Sequence, residues 1–289
     1  MTPIRLIAMD MDGTLLTRID PVTARIPEEN AAVLQRCVDA GVHLALASGR
    51  MPDDASFYAA DAGLPMHIIG LNGGVILDSP LGKPVYEQLL PESTARRVFA
   101  ILEESGADVA VFGLWEVASL RPQPLDWAQR ELGTWFGRPG GRLRYHTGRD
   151  AAMALLPRAG KIVALTKNDK AGLASARERI RRECPDVTLS SSWWNNFEVN
   201  PAGVDKGSAL TRLADGLGIP LRQVMAIGDN DNDVPMLRTA GFGVAMGNAN
   251  ESARAAATHI TLPNDESGVA AAIRSLVFGE IVPGVKPLR

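Results

Sequence analysis

The chain is poor in cysteine and aromatic residues, and it has no long apolar run. Its two cysteines, Cys37 and Cys184, are far apart among 289 residues, which excludes a disulfide-rich secreted scaffold. No apolar run approaches the roughly 18 residues that a membrane span requires. The first strand begins by residue 4 or 5, which leaves no room for a signal peptide. We therefore expect a cytoplasmic protein with reduced thiols and no membrane partner.

Neither sign of charge dominates the sequence. Thirty lysines and arginines stand against 33 acidic residues, for a net charge of -3 and a pI of about 5.9. This balance argues against a nucleic-acid partner, which requires a basic surface. With 46% hydrophobic and 22% charged residues, the composition is that of a globular protein. The length predicts one large or two ordinary domains, and we find no internal repeat.

Two carboxylates directly follow a predicted buried strand near the start of the chain. The apolar run Leu6–Met9 leads to Asp10, Asp12 and Gly13. Residues i and i+2 of a strand point the same way, so both carboxylates begin on one side of a strand end, where open α/β sheets bind ligands. Such close like charges require a cation or a shared proton. The pattern favours a carboxylate nucleophile beside a general acid/base, with Mg²⁺ between protein and phosphate, although an acidic turn is the simpler alternative.

Helices and strands alternate at both ends of the chain. Apolar periodicity and turn residues predict helices at 27–41, 52–62 and 206–218, one ending near 238, and others at 250–257 and 267–278. Strands are predicted at 42–47, 67–69, 224–227, 242–246 and 259–261. This alternation predicts an α/β fold with a mostly parallel sheet covered by helices on both faces.

The segment between these ends has a different composition. It holds all five tryptophans and a stretch at 121–150 rich in Pro, Gly, Arg and Trp, in which 126–136 is predicted helical. Helices are otherwise predicted at 92–105, 151–156 and 170–183, and strands at 108–113, 116–120, 162–166, 187–191 and 197–200. We expect an α+β domain at 84–202, inserted into a core formed by 1–83 and 203–289.

Three further polar groups follow predicted strands or begin helices. Ser48-Gly49-Arg50 ends the strand at 42–47, Lys206 begins a helix, and the acidic run 228–233 ends the strand at 224–227. Alone, each has a simpler explanation, since Ser-Gly-Arg is commonly a turn and a helix-starting lysine is commonly exposed. The acidic run is a poor Ca²⁺ loop, because glycine is not at its sixth position and glutamate is not at its twelfth.

Together these groups fit phosphoryl transfer. Asp10 would attack phosphorus and become an aspartyl-phosphate, while Asp12 would protonate the leaving alcohol and then deprotonate the hydrolytic water. Ser48, with nearby backbone N–H groups, and Lys206 would hold the phosphoryl oxygens. The remaining assignments are Asp229 with Asp10 as Mg²⁺ ligands, Asp233 supporting the metal through water, and Asn232 bonding the phosphate or the nucleophile.

The motifs resemble those of the haloacid dehalogenase superfamily of phosphohydrolases, and within it the Cof-type subclass. Its D-x-D-G-T-L pattern matches 10–15, its Ser motif matches 48–50, its lysine motif matches Lys206-Gly207, and G-D-x-x-N-D-x-x-M matches 228–236. Asn72-Gly73 also matches a turn of this subclass. The resemblance implies a Rossmann-like core with an inserted α/β cap between the Ser and Lys motifs, although 121–150 matches no pattern of the family.

The resemblance implies a Mg²⁺-dependent phosphatase of small phosphomonoesters. The metal would lie among Asp10, Asp12, Asp229 and Asp233, with the Asp12 backbone carbonyl facing it, and Ser48, Gly49, Arg50, Lys206 and Asn232 would bind the substrate. Sugar phosphates and phosphorylated cofactors such as pyridoxal phosphate or FMN are the expected partners of a monomer or homodimer. A sugar phosphomutase, a mannosylphosphoglycerate-type phosphatase and a non-catalytic phosphometabolite-binding protein remain as alternatives.

Overall fold

The computed structural model describes residues 3–16, 24–121, 142–165, 169–191 and 196–288. In these ranges the strands are β1 (Leu6–Met9), β2 (His43–Ala47), β3 (Met66–Gly70), β4 (Val75–Leu77), β5 (Pro84–Glu87), β6 (Asp108–Phe112), β7 (Glu116–Ser119), β8 (Arg144–Thr147), β9 (Lys161–Leu165), β10 (Val187–Ser190), β11 (Asn196–Pro201), β12 (Val224–Gly228), β13 (Phe242–Ala245), β14 (His259–Ile260) and β15 (Lys286–Pro287). The α-helices are α1 (Glu28–Asp39), α2 (Pro52–Asp61), α3 (Glu92–Glu104), α4 (Arg149–Leu155), α5 (Lys170–Glu183), α6 (Lys206–Gly216), α7 (Val234–Thr239), α8 (Glu251–Ala256) and α9 (Gly268–Leu276).

The two ends of the chain share one sheet of nine strands. Its order is β15-β14-β13-β12-β1-β2-β3-β4-β5. The six strands from β14 to β3 run parallel to one another, and β15, at one edge, and β4 are antiparallel to the strands beside them. β1 is central, with β12 on one side and β2 on the other. Every residue of β1 and β12 is buried, as expected for parallel strands covered on both faces. The predicted α/β core is confirmed.

Local signals define the first helix of this core. α1 follows Pro27 and carries Glu28 and Glu29 in its first turn, where acids interact favourably with the helix dipole. Its buried face holds Val33, Leu34 and Cys37. The helix therefore covers the sheet with the apolar side that its sequence provides.

The middle of the chain forms a second sheet with a hydrophobic core of its own. The strand order is β10-β11-β9-β6-β7-β8, mostly antiparallel. Helices α3 and α5 contact each other and this sheet. Their buried residues, such as Phe99 and Ile180, belong to a cluster separate from that of the nine-stranded sheet, as expected of a distinct domain. We call residues 88–201 the inserted domain.

The sequence analysis missed several short edge strands. Pro84–Glu87, which it assigned to the inserted segment, instead pairs with β4 in the nine-stranded sheet, so the inserted domain begins after it. This strand has no buried residue and begins with proline, so it lacks the alternation that marks a half-buried strand. β8 lies in the stretch 121–150. The helix predicted at 126–136 and tryptophans 127, 135, 193 and 194 lie outside the described residues.

No helix in the described ranges combines the length and apolar character needed to cross a bilayer. Both cysteines are free and buried.

Burial makes the thiols inert in the folded protein. Burial raises the pKa of Cys37 to about 11, and burial together with the Asp186 charge raises that of Cys184. Since the thiolate is the nucleophile, we predict that neither cysteine reacts with Ellman's reagent at pH 8 until urea unfolds the chain. Rapid stoichiometric labelling of the native protein would contradict this.

Candidate active site

The carboxylate of Asp10 stands at the end of the central strand. β1 ends at Met9, and the Asp10 amide donates to the Ile227 carbonyl of β12 at 3.0 Å. The chain then turns tightly through Gly13, whose φ is 79°. A Cβ at this position would lie 2.6 Å from Oδ2 of Asp229. Glycine therefore provides both the left-handed conformation and the close approach of this turn to Asp229.

Lys206 joins two of the acidic residues. It is the first residue of α6 and is completely buried, and its Nζ donates to Asp10 Oδ1 at 2.5 Å and to Asp233 Oδ1 at 2.6 Å. A capping box between Asp205 and Ser208 fixes the start of this helix and so the position of the lysine. The alternative of an exposed surface lysine is excluded.

Three carboxylates converge at this strand edge. Oxygens of Asp10, Asp229 and Asp233 all lie within 4.8 Å of one another. Thr14 donates to Asp229 at 2.7 Å, and Asp233 Oδ2 accepts the Asp229 and Asn230 amides at 2.9 and 3.0 Å. These bonds fix the carboxylates in place. Oxygen donors of this type suit a hard divalent cation, so Asp10, Asp229 and Asp233 are the residues that could hold a metal.

The electrostatics of the cluster favour added positive charge. Burial, together with the Asp233 charge, raises the pKa of Asp10 well above its usual value and that of Asp229 to about 6. Burial alone would lower the pKa of Lys206, but Asp10 and Asp233 raise it, so the ammonium stays charged. One ammonium beside three carboxylates, of which Asp10 and Asp233 are buried and Asp229 is half-buried, leaves an excess of negative charge, which a divalent cation would neutralise.

The loop Ser48–Gly49–Arg50 follows β2, next to β1. Ser48 is buried, and its hydroxyl accepts the Arg50 amide at 3.1 Å. The Asn72 amide donates to the Ser48 carbonyl at 3.0 Å. The loop predicted to bind phosphate therefore lies at the same sheet edge as Asp10, and a neighbouring turn orients its backbone.

The carboxylate of Asp12 faces an arginine. Nε and Nη2 of Arg50 donate to its two oxygens at 2.7 and 2.5 Å, and Nη1 donates to Asp54 at 2.6 Å. Such a bidentate pair fixes carboxylate orientation. Four residues were predicted to surround the metal. In the described structure the carboxylates of Asp10, Asp229 and Asp233 cluster, and that of Asp12 is not part of the cluster. The side chain of Arg50 orients Asp12 in this structure, and its role in substrate binding stays a prediction.

Asn232 lines a cavity between the core and the inserted domain. The cavity measures about 490 Å³ and also contacts Lys206, and the inserted domain contributes Arg177, Ser190 and Asn200 to its wall. This volume lies within the usual range for small-molecule pockets. The cavity places polar side chains of the inserted domain opposite Lys206, Asp231 and Asn232, whereas Asp10, Asp229 and Asp233 are not among the residues that line it.

The sequence analysis gave no role to Thr14, Asp54, Lys161 or Glu198. Thr14 lies within the first motif, so its proximity to Asp229 could have been anticipated. Asp54 binds Arg50, only four residues before it in the sequence. Lys161 and Glu198 reach from the inserted domain to the turns of the core through contacts between distant segments. Sequence spacing carries no signal for such contacts.

Comparison with known proteins identifies extensive similarity. The sequence profile described as haloacid dehalogenase-like hydrolase matches residues 7–273. Phosphatase YwpJ from Bacillus subtilis (strain 168) is 31% identical over 300 residues, covering 94% of this chain and all of YwpJ. The 5-amino-6-(5-phospho-D-ribitylamino)uracil phosphatase YwtE of the same organism is 30% identical, with 95% and 98% coverage. Pyridoxal phosphate phosphatase YbhA from Escherichia coli (strain K12) is 30% identical, with 94% and 98% coverage.

The fold also matches solved structures. A haloacid dehalogenase-like hydrolase from B. subtilis superposes with a TM-score of 0.80 at 27% identity, covering 94% of this chain and 100% of that one. The similarity therefore includes the inserted domain as well as the nine-stranded sheet.

Replacing Asp229 with asparagine removes one negative charge from the carboxylate cluster. Because burial and Asp233 raise the pKa of Asp229 from 3.8 to about 6, its ionisation costs the folded protein up to about 3 kcal/mol. We expect urea denaturation without metal to show D229N more stable than wild type by about 2 kcal/mol at pH 7.5. The difference should fade as the pH falls through 6 towards 4, because wild-type Asp229 then becomes protonated.

Magnesium should reverse this order. A ligand that binds only the folded state raises stability with its concentration, so Mg²⁺ should stabilise wild type but barely affect D229N. Asp215→Asn, at an exposed position in α6, is the matched control and should respond to Mg²⁺ as wild type does. A D229N variant that is less stable without metal yet equally protected by Mg²⁺ would contradict both expectations.

Proposed function

The chain belongs to the Cof-type haloacid dehalogenase-like hydrolases, and we propose that it is a Mg²⁺-dependent phosphatase of small phosphomonoesters. The observation that carries the proposal is the buried contact of Asp10 with Lys206 beside Asp229 and Asp233. It combines a nucleophile, a fixed cation and hard oxygen ligands at one strand end. The relatives named as phosphatases support the reaction class.

In the proposed reaction, two aspartates have separate roles. An oxygen of Asp10 attacks phosphorus and forms an aspartyl-phosphate, while the bond from phosphorus to the leaving oxygen breaks and Asp12 gives that oxygen a proton. Water then attacks phosphorus and transfers its proton to Asp12, which releases inorganic phosphate and restores Asp10. Arg50 donates to both oxygens of Asp12 and so orients the carboxylate, and Asp12 gives up one of these hydrogen bonds when it carries the proton.

The other residues hold the phosphoryl group and its charge. Lys206, the Ser48 hydroxyl and the Gly49 amide would bind phosphoryl oxygens, since the Ser48 and Arg50 amides already donate to the Ile69 carbonyl and the Ser48 hydroxyl. Asn232 and Lys206 line the same cavity. Mg²⁺ bound by Asp10, Asp229 and Asp233, with the Asp12 carbonyl nearby, would neutralise charge that develops in the transition state. Catalysis of this type depends mostly on positioning and charge neutralisation.

Small polar metabolites are the substrate class that we propose. The cavity of about 490 Å³ is lined by Ser190, Asn200 and Arg177, whose hydroxyl, amide and guanidinium groups can bond a hydroxylated leaving group. Two relatives act on a ribityl phosphate and on pyridoxal phosphate. We propose sugar phosphates and phosphorylated cofactors, including pyridoxal phosphate and FMN, as substrates of this cytoplasmic enzyme.

Asp10→Asn tests the nucleophile. The neutral side-chain amide of asparagine is a much weaker nucleophile than the Asp10 carboxylate. We therefore expect kcat to fall by about 10⁴-fold across a panel of sugar phosphates, pyridoxal phosphate and FMN. Wild-type activity should require Mg²⁺, and acid-quenched wild type should carry a phosphoryl group on Asp10. The assay is phosphate release, combined with mass spectrometry of the quenched protein.

D215N serves as the matched control for this test and should keep wild-type kcat and KM. Full Mg²⁺-dependent turnover by D10N would rule out the nucleophile assignment. Relocated phosphate on the product, without free phosphate, would identify a mutase. Binding of the panel without any turnover by wild type would instead support a binding protein.

A further inference from the structure

Two charged residues of the inserted domain are buried against the core. Lys161 on β9 and Glu198 on the adjacent strand β11 are each only 4% exposed. Lys161 Nζ lies 3.3 Å from Glu198 Oε1 and 5.0 Å from the centre of the Phe112 ring. Lysine and glutamate are almost never buried unless they are paired, so their position calls for an explanation beyond surface solvation.

The contacts of this pair reach the phosphate-binding loop. Lys161 Nζ donates to the Gly49 carbonyl at 2.8 Å. Glu198 Oε2 accepts a hydrogen bond from the side chain of Asn72, through Nδ2, at 2.5 Å. The backbone N–H of Asn72 in turn donates to the Ser48 carbonyl. One residue of the pair therefore binds the loop directly, and the other binds the turn that supports it.

These contacts complete the set of hydrogen bonds to the loop. The Ser48 and Arg50 carbonyls accept hydrogen bonds from the backbone N–H groups of Asn72 and Leu71, respectively, each at 3.0 Å. The carbonyl between them, that of Gly49, accepts a hydrogen bond from Lys161 Nζ. Thus the core orients the outer two carbonyls, whereas the inserted domain orients the middle one.

The direction of a carbonyl fixes the direction of the next amide. The peptide unit is planar and trans, so the bond from Lys161 to the Gly49 carbonyl also sets where the Arg50 N–H points. The Arg50 N–H in turn donates to the Ser48 hydroxyl, which is the side chain assigned to the phosphoryl group. The lysine therefore influences the phosphate site without touching it.

We propose that Lys161 and Glu198 are positioning residues: they fix the loop Ser48–Gly49–Arg50 for phosphate binding, so that the phosphate site is complete only with the inserted domain docked on it. This inference rests on the proposed function for the role of the loop. It differs from leaving-group recognition, because the phosphoryl group is common to every substrate.

The first experiment measures the loop itself. We compare K161M/E198M with wild type by hydrogen exchange and mass spectrometry, without ligand; the double variant removes both contacts and leaves no unpaired buried charge. The amides of the 48–50 and 71–72 segments should exchange about tenfold faster in the variant, while those of β1 and β12 stay protected. The pair Arg149 and Glu103 of the inserted domain gives the matched control R149M/E103M, which should exchange as wild type does. Unchanged exchange at both segments would overturn the proposal.

The second experiment measures phosphate binding. In the variant, KM for p-nitrophenyl phosphate and for a sugar phosphate should rise by one common factor of about tenfold, with a smaller change in kcat. The inhibition constant of inorganic phosphate should rise by the same factor. Factors that differ between the two substrates, with unchanged phosphate inhibition, would instead assign the pair to the leaving group and overturn the proposal.

The two experiments distinguish failure of the proposed phosphatase function from failure of the positioning role. If wild type neither hydrolyses the substrates nor binds phosphate, the proposed function fails, and hydrogen exchange still decides whether the pair holds the loop. If wild type is an active phosphatase but exchange and phosphate inhibition are unaffected by the variant, only the positioning role fails. Equal melting temperatures of wild type and the variants, measured before each assay, exclude unfolding as the cause of a change.

Discussion

The buried ammonium of Lys206 is the interaction on which the site depends. A lone buried charge is costly, and removing one partner of a buried pair is strongly destabilising, but here Asp10 and Asp233 both accept bonds from the lysine. The contact joins residues 196 positions apart and holds together the end of β1, the start of α6 and the turn after β12. Those segments meet because β1 and β12 are parallel neighbours, so their carboxyl ends open at one edge.

The same contact sets the charge of the site. Asp10, Asp229 and Asp233 outnumber the single ammonium, and burial prevents water from screening the excess. The cluster therefore favours a divalent cation, while the fixed ammonium remains for an anionic group. Arg50 forms a similar arrangement nearby, since it binds both Asp12 and Asp54. Asp10 therefore pairs with a lysine and Asp12 with an arginine.

Much of this arrangement was predictable from sequence, for a physical reason. Asp10, Ser48 and Asp229 follow apolar runs that predict buried strands, and parallel strands bring their carboxyl ends to one edge. The edge strand Pro84–Glu87 was missed because it has no buried face to create alternation. The orientation of Arg50 towards Asp12, and the contacts of Lys161 and Glu198, depend on packing between segments that the sequence does not relate. Residues within one motif were thus predictable, whereas contacts between motifs and domains were not.

The division between the two domains is less complete than their separate cores indicate. The core that contains the nine-stranded sheet provides Asp10, Lys206 and the other clustered carboxylates, and the inserted domain provides part of the cavity wall. Yet the inserted domain also bonds the Gly49 carbonyl and the Asn72 side chain, both within the core's own turns. The same strand β11 carries Glu198, which bonds the Asn72 side chain, and Asn200, which lines the cavity. Because the two residues are neighbours on one strand, a change in β11 that shifts the contact with the core also shifts the cavity wall.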